Sequence, residues 1–91
     1  MFKKTYRFYH DPGHGWLAVK RVELKRLGLL DKISEYSYQR GKTVYLEEDS
    51  DAGIFLREKT RRKEELDFAH TDYDIRCPIR SYDAYRPDIT A

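Results

Sequence analysis

The run Thr5-Tyr6-Arg7-Phe8-Tyr9 alternates at period two, with Tyr6 and Phe8 on one face and Arg7 and Tyr9 on the other, and so predicts a strand. The strand stops at His10-Asp11-Pro12-Gly13-His14-Gly15, where Asp-Pro opens a turn and two glycines permit φ > 0. Residues 16–19 continue as a short extended piece that anchors the loop. Over residues 20–27 the spacing changes. Val22, Leu24 and Leu27 make the apolar stripe of a short helix, and Lys20, Arg21, Glu23, Lys25 and Arg26 supply its wet face. Gly28 stands where a left-handed helix cap belongs, with Leu29 placed for the apolar contact that accompanies it.

Residues 36–39 and 43–46 alternate around Arg40-Gly41-Lys42, the pattern of a β-hairpin with its glycine at a bulge position. A second helix begins near Asp51, after the acidic run Glu47-Glu48-Asp49-Ser50-Asp51 that suits a positive helix end, and it buries Ala52, Phe55 and Leu56. No residue from Arg57 to Glu65 is apolar, which predicts a solvated extension. Residues 66–70 read as a last strand with Leu66 and Phe68 inward, and Ile75, Ile79, Tyr82 and Tyr85 are placed to pin an irregular end onto the body. The order β-α-β-β-α-β implies an α+β fold, a small and mostly antiparallel sheet with two helices on one face. Residues 1–74 form the single domain, and 75–91 are a C-terminal tail packed on it or extending from it.

Composition narrows the class. Ninety-one residues suffice for one core and not for two, and 14% aromatic residues among 37% charged ones describe a folded, well-solvated domain. No apolar run approaches the roughly 20 residues of a spanning helix, and no apolar leader opens the chain. The lone Cys77 excludes an internal disulfide and suits a reducing compartment, so the expectation is a cytoplasmic protein with no membrane partner. The net charge of +2 conceals an asymmetry: residues 1–46 hold ten Lys/Arg against four Asp/Glu, residues 47–91 eight against twelve. A basic half suits phosphate or an acidic surface. The plainer expectation is that the two halves pair across one sheet and cancel.

Candidate chemistry is sparse. His10 and His14 lie four apart, but Pro12 and the glycines exclude the helix that would put both on one face. A ligand set would need His70 to fold alongside, and the plain role for His14 and Trp16 is to seal the turn. Cys77 and the serines have no base beside them in sequence. The acidic run lacks the spaced oxygens of a calcium loop. The pattern therefore calls for no metal, no cofactor and no catalytic residue.

What stands out is tyrosine with arginine. Tyr36, Tyr38 and Tyr45 interleave with Arg40 and Lys42 on the hairpin, and Arg76, Arg80, Tyr82, Tyr85 and Arg86 crowd the tail. Such residues anchor protein interfaces and also stack bases beside phosphates. The candidate partner surface is Tyr38, Arg40, Lys42, Arg76, Arg80, Tyr82 and Tyr85, with Ile75 and Ile79 holding the tail down so that Arg76 and Arg80 point outward. An alternative acidic surface is Glu47, Glu48 and Asp49.

Four segments also carry a resemblance: residues 11–17 (Asp-Pro-Gly-His-Gly-Trp-Leu), residues 31–38 with Tyr-Ser-Tyr at their end, residues 44–49 (Val-Tyr-Leu-Glu-Glu-Asp) and residues 79–85. Together they resemble small accessory proteins encoded by bacteriophages and prophages, a group that brings no catalytic motif. The resemblance implies a protein that binds and modulates a host or defence protein, anti-CRISPR proteins being the familiar example. Nucleic acid is the alternative partner, and the oligomeric state is left open.

Overall fold

The computed structural model describes residues 3–88. The alternation around Tyr6 becomes β1 (Lys4–His10), and the piece after the turn is a full strand, β2 (Gly15–Lys20). Then follow α1 (Arg21–Arg26), the hairpin strands β3 (Tyr38–Arg40) and β4 (Thr43–Glu47), α2 (Asp51–Arg61), β5 (Leu66–Asp72) and a two-residue β6 (Asp83–Ala84). The six strands form one sheet in the order β5-β1-β2-β4-β3-β6, parallel at β1/β5 and antiparallel elsewhere. The α+β class and the mostly antiparallel sheet agree with the sequence reading. The expected β-α-β-β-α-β order lacked β2 as a strand of its own and β6. Among the described residues no helix is long and apolar enough to cross a membrane.

One face of the sheet takes the helices. Tyr6, Leu17, Val19, Val44 and Leu46 meet Leu24 and Leu27 of the first helix region and Ala52 and Phe55 of α2 in one buried cluster. Leu17, Leu24, Leu46 and Phe55 have no accessible surface, and each such side chain contributes roughly 1.5–3 kcal/mol through burial. α1 ends as its glycine predicts: Gly28 has φ +72°, its N–H reaches Lys25 O, and Leu29 N–H reaches Leu24 O. Gly41 at the hairpin tip has φ +58°, also as expected.

The opposite face is covered in part by the C-terminal segment. Cys77 and Ile79 are buried against Trp16, with Tyr9, Tyr38, Tyr45, Tyr73 and Tyr82 packed around them. The segment holds a 3-10 turn (Pro78–Ser81) and then adds β6 beside β3. Ile79 is an anchor as expected, but Ile75 is 76% exposed and is not. Phe68, expected inward, is 41% exposed, because β5 is an edge strand; its ring meets Phe8 at 5.5 Å.

Two other expectations fail for one physical reason. Val22 is 72% exposed, whereas its neighbour Glu23, assigned to the wet face, is buried. Lys59, in the stretch expected to be solvated, is 3% exposed, with Nζ 2.8 Å from Glu23 Oε2 and 2.9 Å from Glu64 Oε1. The two charges give each other a reason to be inside. Glu23 also accepts from Tyr6 OH at 2.7 Å and from Lys4 and Arg26. Burial pushes the Glu23 carboxyl up, and hydrogen bonds from Lys59, Tyr6 and Lys4 outweigh it and bring it down to about 2. Burial pushes the Tyr6 phenol up to about 12.

Glu23→Ala leaves Lys59 as a buried, undercompensated charge and is expected to cost about 3–5 kcal/mol in urea unfolding. The folded state holds the Glu23 carboxyl near 2 against an ordinary 4.5, so the unfolded chain binds more protons between those values. Stability from this group is complete above about pH 4.5 and is lost as pH falls toward 2. Melting temperatures measured from pH 7 to 2 should fall in that window, and less steeply in Glu23→Ala.

Candidate functional site

Asp11 organises the second face. Its carboxylate accepts the N–H groups of Gly13 and His14, an Asx-type turn written into Asp-Pro-Gly-His. It also accepts Arg80 Nε at 2.6 Å, Arg80 Nη2 at 2.8 Å and the Cys77 N–H at 3.0 Å. Five donors converge on a side chain that is 1% exposed. The Arg80 hydrogen bonds, with those from Cys77 and the turn, hold the Asp11 carboxyl well below the usual carboxylate range and push the Arg80 guanidinium up. Arg80 in turn lies over the Trp16 ring, 5.3 Å from its centroid.

Around this clamp the aromatic rings touch in sequence. Trp16 packs between His14 and Tyr38, each at 6.1 Å. Tyr45 packs between Tyr9 at 6.1 Å and Tyr82 at 5.2 Å, and the Arg40 guanidinium covers Tyr82 at 5.0 Å. Where hairpin and tail meet, a cleft of about 420 Å³ opens, lined by His14, Trp16, Tyr36, Tyr38 and Arg80 and by the acidic Glu47 and Asp49. Tyr36 is 77% exposed at its rim.

The expected contact residues separate accordingly. Tyr38 lines the cleft, Arg40 and Tyr82 pair beside it, and Lys42 is exposed at the hairpin tip. Arg76 is exposed, with Nη2 3.5 Å from Arg80 O. Arg80 is not the outward arginine expected, because one edge of its guanidinium, Nε and Nη2, is bound to Asp11. Tyr85 is a core residue, 2% exposed, whose hydroxyl donates to Leu30 O; β6 carries it past the sheet edge into the helix layer. Of the acidic set, Glu47 accepts the N–H groups of Asp49, Ser50 and Asp51 and so caps α2 from outside the helix. Glu48 and Asp49 are exposed. Asp51 is buried and accepts from Ser34 and Ser37.

His10 and His70 do fold alongside each other, with Nε2 and Nδ1 3.2 Å apart, because β5 runs parallel to β1. His14 lies with Trp16 instead, the turn-sealing place expected of it. Among the described residues no group of three or more His, Cys, Asp or Glu is placed to hold a metal ion. Sequence reasoning gave Asp11 only a turn and left Tyr36 out of the contact set, although it named Tyr36 among the hairpin tyrosines. The Asx turn signals the first, but its ion pair spans 69 residues and has no local sign. No protein-family model matches the chain, and no curated protein or solved structure matches it.

The turn glycines are needed for close approach rather than for φ, since among the described residues only Gly28, Gly41 and Lys63 have positive φ. A Cβ on Gly13 would stand 2.9 Å from Arg80 Nη2, and one on Gly15 2.6 Å from Glu48 Oε2. Asp11→Asn and Gly13→Val are therefore both expected to lower the melting temperature and to make residues 73–82 the first site of limited proteolysis. Cleavage at unchanged sites and rates would show that the clamp does not hold the segment.

Proposed function

We propose that this chain is a non-catalytic accessory protein that docks on a host or defence protein in the cytoplasm and modulates it, using the cleft between hairpin and tail. The observation that carries this reading is the cleft's composition: exposed Tyr36 and half-buried Tyr38 beside Arg40 and Tyr82, with carboxylates on the same wall. Rigid tyrosines offer large contact area at small rotamer cost, which is why they serve as interface anchors. Glu47 and Asp49 repel phosphate and favour a protein segment with its own cations. The absence of catalysis is also part of the proposal. Ser37 and the Cys77 thiol are buried, and Ser34 shares one Asp51 oxygen with Ser37, so that carboxylate ties the two hydroxyls together rather than activating one of them. The class of partner rests on the resemblance of residues 11–17 and 44–49 to phage accessory proteins.

Capture from bacterial lysate, with and without nuclease, should recover the same protein partner in both arms. Tyr36→Ala, Tyr38→Ala, Arg40→Ala and Tyr82→Ala are then compared by calorimetry, with melting as the folding control. At least two should each cost more than about 1 kcal/mol of binding. Retained affinity in all four, with loss on charge reversal at Glu48 and Asp49, would move the interface to the acidic end.

A further inference from the structure

The half of the second sheet face that the C-terminal segment leaves open has a different chemistry. Lys20, Thr43 and Arg40 share one row across β2, β4 and β3, and Ala18, Tyr45 and Tyr38 share the next. Cross-strand neighbours lie on one face about 5 Å apart, so Lys20 and Arg40 are about 10 Å from each other along the row. On β1, Arg7 and Tyr9 project to the same side. Ala18 is the small floor of a trough of about 250 Å³, with Arg7, Tyr9, Lys20, Thr43 and Tyr45 around it.

No carboxylate lines this trough, although the chain holds 16 Asp and Glu. Of its cations Lys4 is engaged by Glu23, but Arg7 and Lys20 take part in no ion pair among the described residues, and neither do Arg40 and Lys42 beside them. Arg7 is held in place by neutral groups, Thr71 Oγ1 at 2.7 Å and His70 O at 3.3 Å. Asp67 shares the row of Thr5, but it stands on the edge strand outside the trough. Burial and the neighbouring Tyr82 push the Tyr45 phenol up, so its ring is a neutral surface at the trough wall.

We propose that this trough binds single-stranded nucleic acid, one base lying against Tyr45 and Tyr9 over Ala18 while Arg7, Lys20, Arg40 and Lys42 take the phosphates. Cations outside any ion pair, with no competing carboxylate, attract a polyanion, and the half-buried Tyr9 and Tyr45 rings beside Ala18 give an unstacked base of any identity an apolar surface to lie on. A duplex keeps its bases stacked inside and cannot present one to the floor. The trough lies toward the end of the sheet that holds Lys20 and the cleft toward the end that holds Glu47, with Arg40, which covers Tyr82, common to the two surfaces.

Fluorescence anisotropy of a labelled oligothymidylate of about twelve nucleotides, titrated with the full chain, tests this. Three to four phosphate contacts predict a log–log salt slope of about −2 to −3. Arg7→Gln with Lys20→Gln should weaken binding at least about ten-fold and reduce the slope by about 1.4. Tyr45→Leu should weaken binding with the slope kept, because stacking releases no counterions. Lys25→Gln with Lys63→Gln, both outside the trough, should bind as the parent does. No binding at low salt, or undiminished affinity in the Arg7/Lys20 variant with melting intact, would overturn the proposal. Polyglutamate competing as well as the oligonucleotide would also overturn it and assign the trough to an acidic protein.

Discussion

The Asp11 carboxylate is the constraint on which the working surface depends. It is nearly inaccessible, and it meets five donors, three from its own turn and the Cys77 backbone and two from Arg80. A buried charge so fully partnered is tolerated only while every partner stays in place. The clamp therefore joins the first loop of the chain to its last turn and brings Cys77 and Ile79 down on Trp16. Without it the aromatic face of the sheet would be an uncovered apolar patch. With it, part of that face becomes core, part a cleft and part an open trough.

The helix layer uses the same device for a different end. Glu23 and Lys59 are both buried and joined at 2.8 Å, so α1 and α2 are keyed by charge as well as by Leu24 and Phe55. Along the strands, Lys4, Lys20 and Arg40 fall at one end of the sheet, where Asp67 also stands, and Glu47 and Asp72 fall at the other beside His10. The cleft lies toward the end with Glu47 and the trough toward the end with Lys20.

Much of the fold was legible because it is local. The period of two around Tyr6, the hairpin at Gly41 and the cap at Gly28 each depend on residues within a few positions of one another, and each was found. What was not legible depends on distant partners. Glu23 reads as a surface residue until Lys59 is known to lie beside it, and Arg80 reads as a free cation until Asp11 is placed. Tyr85 looked like a contact residue because composition does not say that two residues of β6 will carry it under the helices. The hairpin and tail, named as the contact region, do lie together: Arg40 covers the Tyr82 ring, and Tyr38 lines the cleft with Arg80. Tyr36, the most exposed aromatic at the cleft, reads in sequence as part of the hairpin strand and stays outside the expected contact set; it lies just before β3.

The central claim is that the C-terminal segment is a structural layer of the domain, locked by Asp11. Native-state hydrogen exchange tests it residue by residue. The Cys77 N–H bound to Asp11 and the Tyr85 N–H bound to Ser37 O should exchange only through global unfolding, with the same free energy and denaturant dependence as the amides of Val44 and Leu46. Exchange of Cys77 and Tyr85 at the rate of an open loop, while Val44 and Leu46 stay protected, would contradict the account.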